Sequence, residues 1–93
     1  DARMITNPRF QRYALDLAEE LGIPVQESVR TGGSTSGAPI HLSNQGVPVI
    51  VIGIPVRYIH THYGIAAHSD VENAAQLAAA ILERMDAAQI SRF

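Results

Sequence analysis

The stretch "VPVIVIGIP", Val47 to Pro55, constrains the fold more than any other part of this chain. It is nearly continuous in β-branched and other apolar residues. A strand with one wet face alternates apolar and polar side chains. An unbroken run instead reads as a strand buried on both faces, in a sheet covered by helices on each side. Such a strand needs neighbours to pair its backbone N–H and C=O groups, and the remaining sequence supplies few candidates. The expectation is a piece of a larger sheet, completed by further sequence or by another chain.

The flanking segments predict helices. Asn7 followed by Pro8 is a helix start: an Asx N-cap, then proline at the first helical position. Phe10, Tyr13, Ala14, Leu17, Ala18 and Leu21 then trace one helical face. Gly22 stands where a helix-ending glycine belongs, and Pro24 prevents continuation, so the helix is expected over about 8–21. "PVQESV" alternates from Val25 to Val29 and fits a half-buried or edge strand. "RTGGSTSG" is a glycine- and hydroxyl-rich loop, and "SGAPIHLSNQG" reads as a short helix capped by Ser36 and ended by Gly46. Ser69 and Glu72 form an S-x-x-E capping box for a helix over about 70–86. Its apolar side carries Ala74, Leu77, Ala78, Ile81 and Met85, with Glu72, Gln76, Glu83 and Asp86 opposite. The order of elements gives an α/β class: a fragment of a sheet flanked by helices.

Composition narrows the function. The chain has 93 residues, enough for one small domain, and 46% of them are apolar, which argues against disorder. Its formal charge is −2 with no lysine and no basic run, so nucleic acid is not an expected partner. No apolar stretch approaches the roughly 20 residues that span a bilayer, and nothing at the N-terminus reads as a signal peptide. Without cysteine there is neither a disulfide framework nor a thiolate zinc site. The opening "DARMITNPRF" lacks an initiator methionine, so further sequence upstream is expected.

The residues with chemistry in reach cluster after the apolar run. His60, His62 and His68 are three of the four histidines, and His60 lies just past the strand end, where α/β folds place ligands. A metal site needs three or four ligands of suitable reach. His60 and His62, two apart, would point to opposite sides of an extended segment. A site made only from His41, His60, His62 and His68 is therefore contrived, and ordinary polar loop residues remain the alternative. "GGSTSG", Gly32 to Gly37, could hold an anion on backbone N–H groups, or be a plain loop with a capping serine; it matches no Walker pattern and contains no nucleophile elbow. Arg57 and Tyr58 could orient a substrate or brace the loop. No pair of carboxylates stands out as an acid/base couple.

Taken together, "DARMITNPRF", "GGSTSGAPIHLSNQGVPVIVIGIPVRYIH" and "DVENAAQL" resemble the C-terminal part of the tetrahedral aminopeptidases, the family of the glutamyl aminopeptidases and the proteins labelled endoglucanase M. The resemblance runs through nearly all of the chain. It implies a zinc-peptidase-like (phosphorylase/hydrolase-like) catalytic domain, of which residues 1–93 are the C-terminal portion. It also implies a cytoplasmic homo-oligomer of up to twelve subunits and two divalent ions, zinc or cobalt, that activate a water against the N-terminal bond of a short peptide. The histidine closing the family's R-Y-I-H motif is a metal ligand, which here is His60. The glycine-rich loop lines the substrate side, which implies Gly33, Ser34 and Thr35 as pocket residues. The other ligands and the glutamate base lie upstream, so no catalytic residue is assigned here.

Two departures stand beside the site. The family commonly reads G-G-T-D-A-G or a triple-glycine form of it, and aligned to the triple-glycine form this chain has Ser36 in place of the aspartate. It often follows the metal histidine with serine, proline and, two further on, glutamate; here these are Thr61, His62 and Gly64. A non-catalytic homologue serving assembly or peptide binding is thus the second reading, and a stand-alone histidine metal module the third.

Overall fold

A computed structural model describes all 93 residues. Four helices form: α1 (Pro8–Glu20), α2 (Gly37–His41), α3 (His68–Arg84) and α4 (Ala87–Ser91). None is long and apolar enough to cross a membrane.

α1 begins and ends as its local sequence dictates. The Asn7 side chain accepts from the backbone N–H groups of Arg9 and Phe10, both at 3.0 Å, and Pro8 needs no partner at the first position. At the far end Gly22 takes φ +69, with open space where a Cβ would stand. Gly22 N–H donates to Glu19 O and Ile23 N–H to Ala18 O, a Schellman closure that folds Ile23 back onto the helix. Ala14, Leu17, Ala18 and Ile23 then pack against Leu77 and Ile81 of α3 as the core. Ile50 of the apolar run packs on this cluster, as do Phe10, Tyr13 and Met85. Burying each large aliphatic contributes about 1.5–3 kcal/mol. Arg84 to Glu20 at 2.8 Å adds an exposed ion pair across α1 and α3, of the kind that contributes little.

α3 starts differently from the expectation. Its N-cap is Ala67, with no side-chain cap bond, and the helix runs from His68 to Arg84. Ser69 therefore lies inside the first turn and the Ser69–Glu72 box does not form. Asp70 and Val71 N–H groups bond to Ala67 O instead, Asp70 complements the helix dipole, and Glu72 lies 3.5 Å from His68 one turn back. Asp86 does not lie on the polar face of α3. Met85 is extended, and the Asp86 carboxylate accepts from Gln89 N–H at 2.7 Å, capping a separate helix, α4. The chain then returns to α1: Phe93 stacks on Phe10 with centroids 4.7 Å apart, and Asn7 Nδ2 donates to Phe93 O at 3.0 Å.

α2 is also shorter than expected. Ser36 holds the N-cap position but makes no side-chain cap bond; Thr35 Oγ1 accepts from Gly37 N–H instead. The helix ends at His41, and Gly46 (φ +94) closes a following turn.

Neither apolar stretch forms a strand ladder within these residues. Residues 24–32 and 48–56 make no backbone–backbone hydrogen bonds, and the lone bridge pairs Arg57 with Ile65. The half-buried strand expected over Val25–Val29 is absent, with Val29 97% exposed. In the run expected to be an inner strand, Val51 is 46% and Ile54 40% exposed. The physical reason is that a ladder needs a neighbour, and no other segment of the chain lies alongside to give one.

In this 93-residue chain, amide hydrogen exchange at Val49 to Ile54 should run within about tenfold of unfolded-chain rates, while the interior amides of α1 and α3 are protected. Protection of the run equal to that of α1, measured by NMR, would contradict this account of its backbone.

Candidate functional site

The apolar run delivers the chain to a closed loop. Arg57 N–H donates to Ile65 O at 2.8 Å and Ile65 N–H to Arg57 O at 3.0 Å, which pins the ends of the segment Tyr58–Gly64. Inside it, Thr61 Oγ donates to Tyr58 O, and Tyr63 N–H donates to Thr61 Oγ. The Arg57 guanidinium lies 5.3 Å from the centroid of the Tyr58 ring and donates to its hydroxyl at 3.3 Å. Arg57 and Tyr58 thus brace each other at the loop's entrance.

Two residues here carry backbone strain. Tyr58 has φ +60 and His60 φ +62, left-handed conformations that cost a residue with a side chain about 1–2 kcal/mol. For a bulky residue such as tyrosine this is a genuine outlier. Strain of this kind persists only where surrounding bonds enforce it, and it concentrates at functional loops. The left-handed turn at His60 also removes the extended geometry assumed for His60 and His62, so their alternation to opposite sides does not apply. The imidazoles of His60 and His62 are both exposed.

The other histidines sit elsewhere. His41 ends α2, and its Nδ1 lies 2.6 Å from Ala38 O and 3.2 Å from Gly37 O, so Nδ1 is the donor. It borders a surface hollow of about 360 Å³ shared with Ile5, Asn7 and Val47. His68 opens α3 beside Glu72. No three histidine or carboxylate side chains gather where they could hold a metal ion. The strained loop thus offers two exposed imidazoles, His60 and His62, too few by themselves for a metal site of three or four ligands.

The glycine-rich loop is held from the chain's first residues. Gly33 takes φ +81, and its carbonyl accepts from Ala2 N–H at 3.1 Å. Thr35 is bound through both its N–H and its hydroxyl to the Asp1 carboxylate. Ser34 donates to Thr35 O at 3.4 Å. Gly37 is buried, and a Cβ there would stand 2.8 Å from Met4 Sδ and 3.2 Å from Val49 Cγ1. Asp1 and Met4, not singled out by their sequence context, are thus part of this loop's support. Gly33, Ser34 and Thr35 line neither the His41 hollow nor a second of about 370 Å³ beside Arg12 and Glu27, and His60 lines neither.

Comparison with known proteins gives the class. An aminopeptidase from the archaeon Desulfurococcus kamchatkensis superposes with a TM-score of 0.91 and 34% identity, over 96% of this chain and 25% of that one. The fold is therefore a portion of a peptidase fold. The sequence pattern of the M42 glutamyl aminopeptidases matches residues 1–77, and the chain belongs to that family. It is 38% identical over 78 residues to a putative aminopeptidase of Acetivibrio thermocellus, covering 83% of this chain and 23% of the relative. It is 33% identical over 81 residues to a lysyl aminopeptidase of Pyrococcus furiosus (85% and 23%) and 32% over 91 residues to a glutamyl aminopeptidase of Lactococcus lactis (98% and 25%). The chain spans about a quarter of the length of these relatives. The family is one of metallopeptidases, which implies divalent metal.

The strain at Tyr58 can be measured against its own control. Tyr58→Gly and Tyr58→Ala both remove the ring, so their difference isolates the backbone. The glycine variant should be the more stable by about 1 kcal/mol in urea unfolding. Equal stability would remove the strain argument.

Proposed function

We propose that these 93 residues are the C-terminal portion of the catalytic domain of a dinuclear-metal aminopeptidase, which removes N-terminal residues from short peptides. The observation that carries this is the left-handed His60, closing an R-Y-I-H motif on a pinned loop inside the region matched by the family. His60 would hold one divalent ion, zinc or cobalt, through a neutral imidazole nitrogen. The ions would supply Lewis-acid activation of a water and polarise the scissile carbonyl. The further ligands and the general base would come from sequence outside these residues.

This chain's own part is to present one imidazole on a backbone with little freedom, and to support the substrate side through Gly33, Ser34 and Thr35. In the same reading, the unpaired run 48–56 is an inner strand of the domain's parallel-type sheet, and its apolar side chains are covered by the rest of the domain. Homo-oligomeric assembly, up to twelve subunits, belongs to this reading as well.

A second reading, a non-catalytic homologue serving assembly or peptide binding, has its own support. Ser36 replaces an aspartate expected from the resemblance, and Thr61, His62 and Gly64 replace serine, proline and glutamate. Space does not force glycine at position 64: a Cβ there would meet Val56 Cγ1 at 3.6 Å and Arg57 O at 3.9 Å, ordinary contacts.

Metal analysis separates the two in the polypeptide that carries these residues. His60→Ala should lose about one ion per subunit and its peptidase activity, with the circular dichroism spectrum preserved, because an exposed loop side chain carries little packing. His62→Ala and His68→Ala should retain both ions. Loss of metal from His62→Ala or His68→Ala, with His60→Ala unaffected, would transfer the ligand role and revive a self-contained histidine site.

A further inference from the structure

We propose that Asp1 is a positioning residue for the glycine-rich loop, setting the height of residues 33–37 and so the affinity for peptide; this rests on the reading of that loop as the substrate side of an aminopeptidase site. One carboxylate does most of the holding. Asp1 Oδ2 accepts from Thr35 N–H at 2.7 Å and from Thr35 Oγ–H at 2.5 Å, and Asp1 Oδ1 accepts from Arg3 N–H at 2.9 Å. These are charge-assisted bonds, the shorter and stronger kind. Thr35 Oγ passes the constraint on by accepting from Gly37 N–H at 3.2 Å, and Thr35 O accepts from Ala38 N–H at 3.1 Å. Asp1 therefore reaches the start of α2 through a single side chain.

A second attachment lies at each end of the loop. Ala2 N–H holds the carbonyl of Gly33, which sits in the left-handed region. At the other end buried Gly37 packs against Met4, and a Cβ there would stand 2.8 Å from the Met4 Sδ, which would have to shift. The segment 1–4 thus brackets the loop, and the run's Val49 closes the same contact from the other side. The bracket also sorts the loop's hydroxyls. That of Thr35 is committed, donating to Asp1 and accepting from Gly37, so its role is support. Ser34 and Ser36 are the hydroxyls on either side of it.

The test uses the polypeptide that carries these residues, with aminoacyl p-nitroanilides as probes. Asp1→Ala and Thr35→Val should each raise KM about tenfold with kcat within about twofold, since an interaction that only positions bound substrate acts on uniform binding. Metal content should be unchanged. Thr35→Ser, which keeps the hydroxyl, should restore the KM. Because both residues act through one pair of bonds, the double variant Asp1→Ala/Thr35→Val should be no worse than either single variant. An unchanged KM in Asp1→Ala, or effects that multiply in the double variant, would overturn the proposal. Should the parent hydrolyse none of the probes, the aminopeptidase reading fails on its own, and amide exchange at Thr35 and Gly37 decides the bracket. Faster exchange in Asp1→Ala supports it, and unchanged exchange refutes it. Asp1→Asn, nearly isosteric and still able to accept from Thr35, serves if Asp1→Ala does not fold; its loss should be confined to Arg3, with a smaller rise in KM.

Discussion

Ala18 has no accessible surface, and the contact it permits between α1 and α3 is what the rest of the structure hangs on. A small side chain at that point lets Leu17, Leu77 and Ile81 interlock around it. The Schellman closure at Gly22 depends on the same place, because Ala18 O receives the N–H of Ile23, which then joins the core. So few residues are buried, 9 of 93, that this helix pair supplies most of the packing. A leucine-to-alanine change at position 17 or 77, costing about 2–5 kcal/mol, would remove a large share of it.

The site inherits its position from that pair through the apolar run. Ile50 packs on the helix core, and Val49 meets Gly37 at the base of the glycine-rich loop. Past Pro55 the same run enters the pinned loop that holds His60. One segment therefore joins the core, the glycine-rich loop and the strained histidine. The strain at Tyr58 and His60 is affordable because the Arg57–Ile65 bridge and the Thr61 hydroxyl enforce the turn. A freely moving loop would relax both residues out of the left-handed region.

What was legible in the sequence was what local chemistry decides. Asn7, Pro8 and Gly22 act within a few residues of themselves, and α1 falls where they put it. The apolar face of α3 was equally plain, while its start was not: Ser69 had the right spacing to Glu72, but Ala67 entered the helix earlier. Asp86, assigned by its spacing to the polar side of α3, instead caps α4, a helix the periodic pattern did not separate from α3. The two strand segments stay unpaired within these residues for a different reason. Val25–Val29 and Val47–Ile54 carry strand composition, but pairing is a property of the neighbour, which no run of residues encodes by itself. The Asp1–Thr35 bond was equally out of reach, since residues 34 positions apart are joined only by the fold. The left-handed Tyr58 and His60 contradict side-chain preference, so only the structure could reveal them; the identity of His60 as a candidate ligand came from its motif.

The central claim is that His60 supplies one ligand to a metal centre completed from outside these residues. Anomalous diffraction from zinc-loaded crystals of the polypeptide that carries them tests it most directly. The expected result is a zinc peak about 2.0–2.1 Å from a ring nitrogen of His60, with every other protein ligand lying outside residues 1–93. A peak on His62 or His68, or an ion whose ligands all come from within this chain, would contradict it.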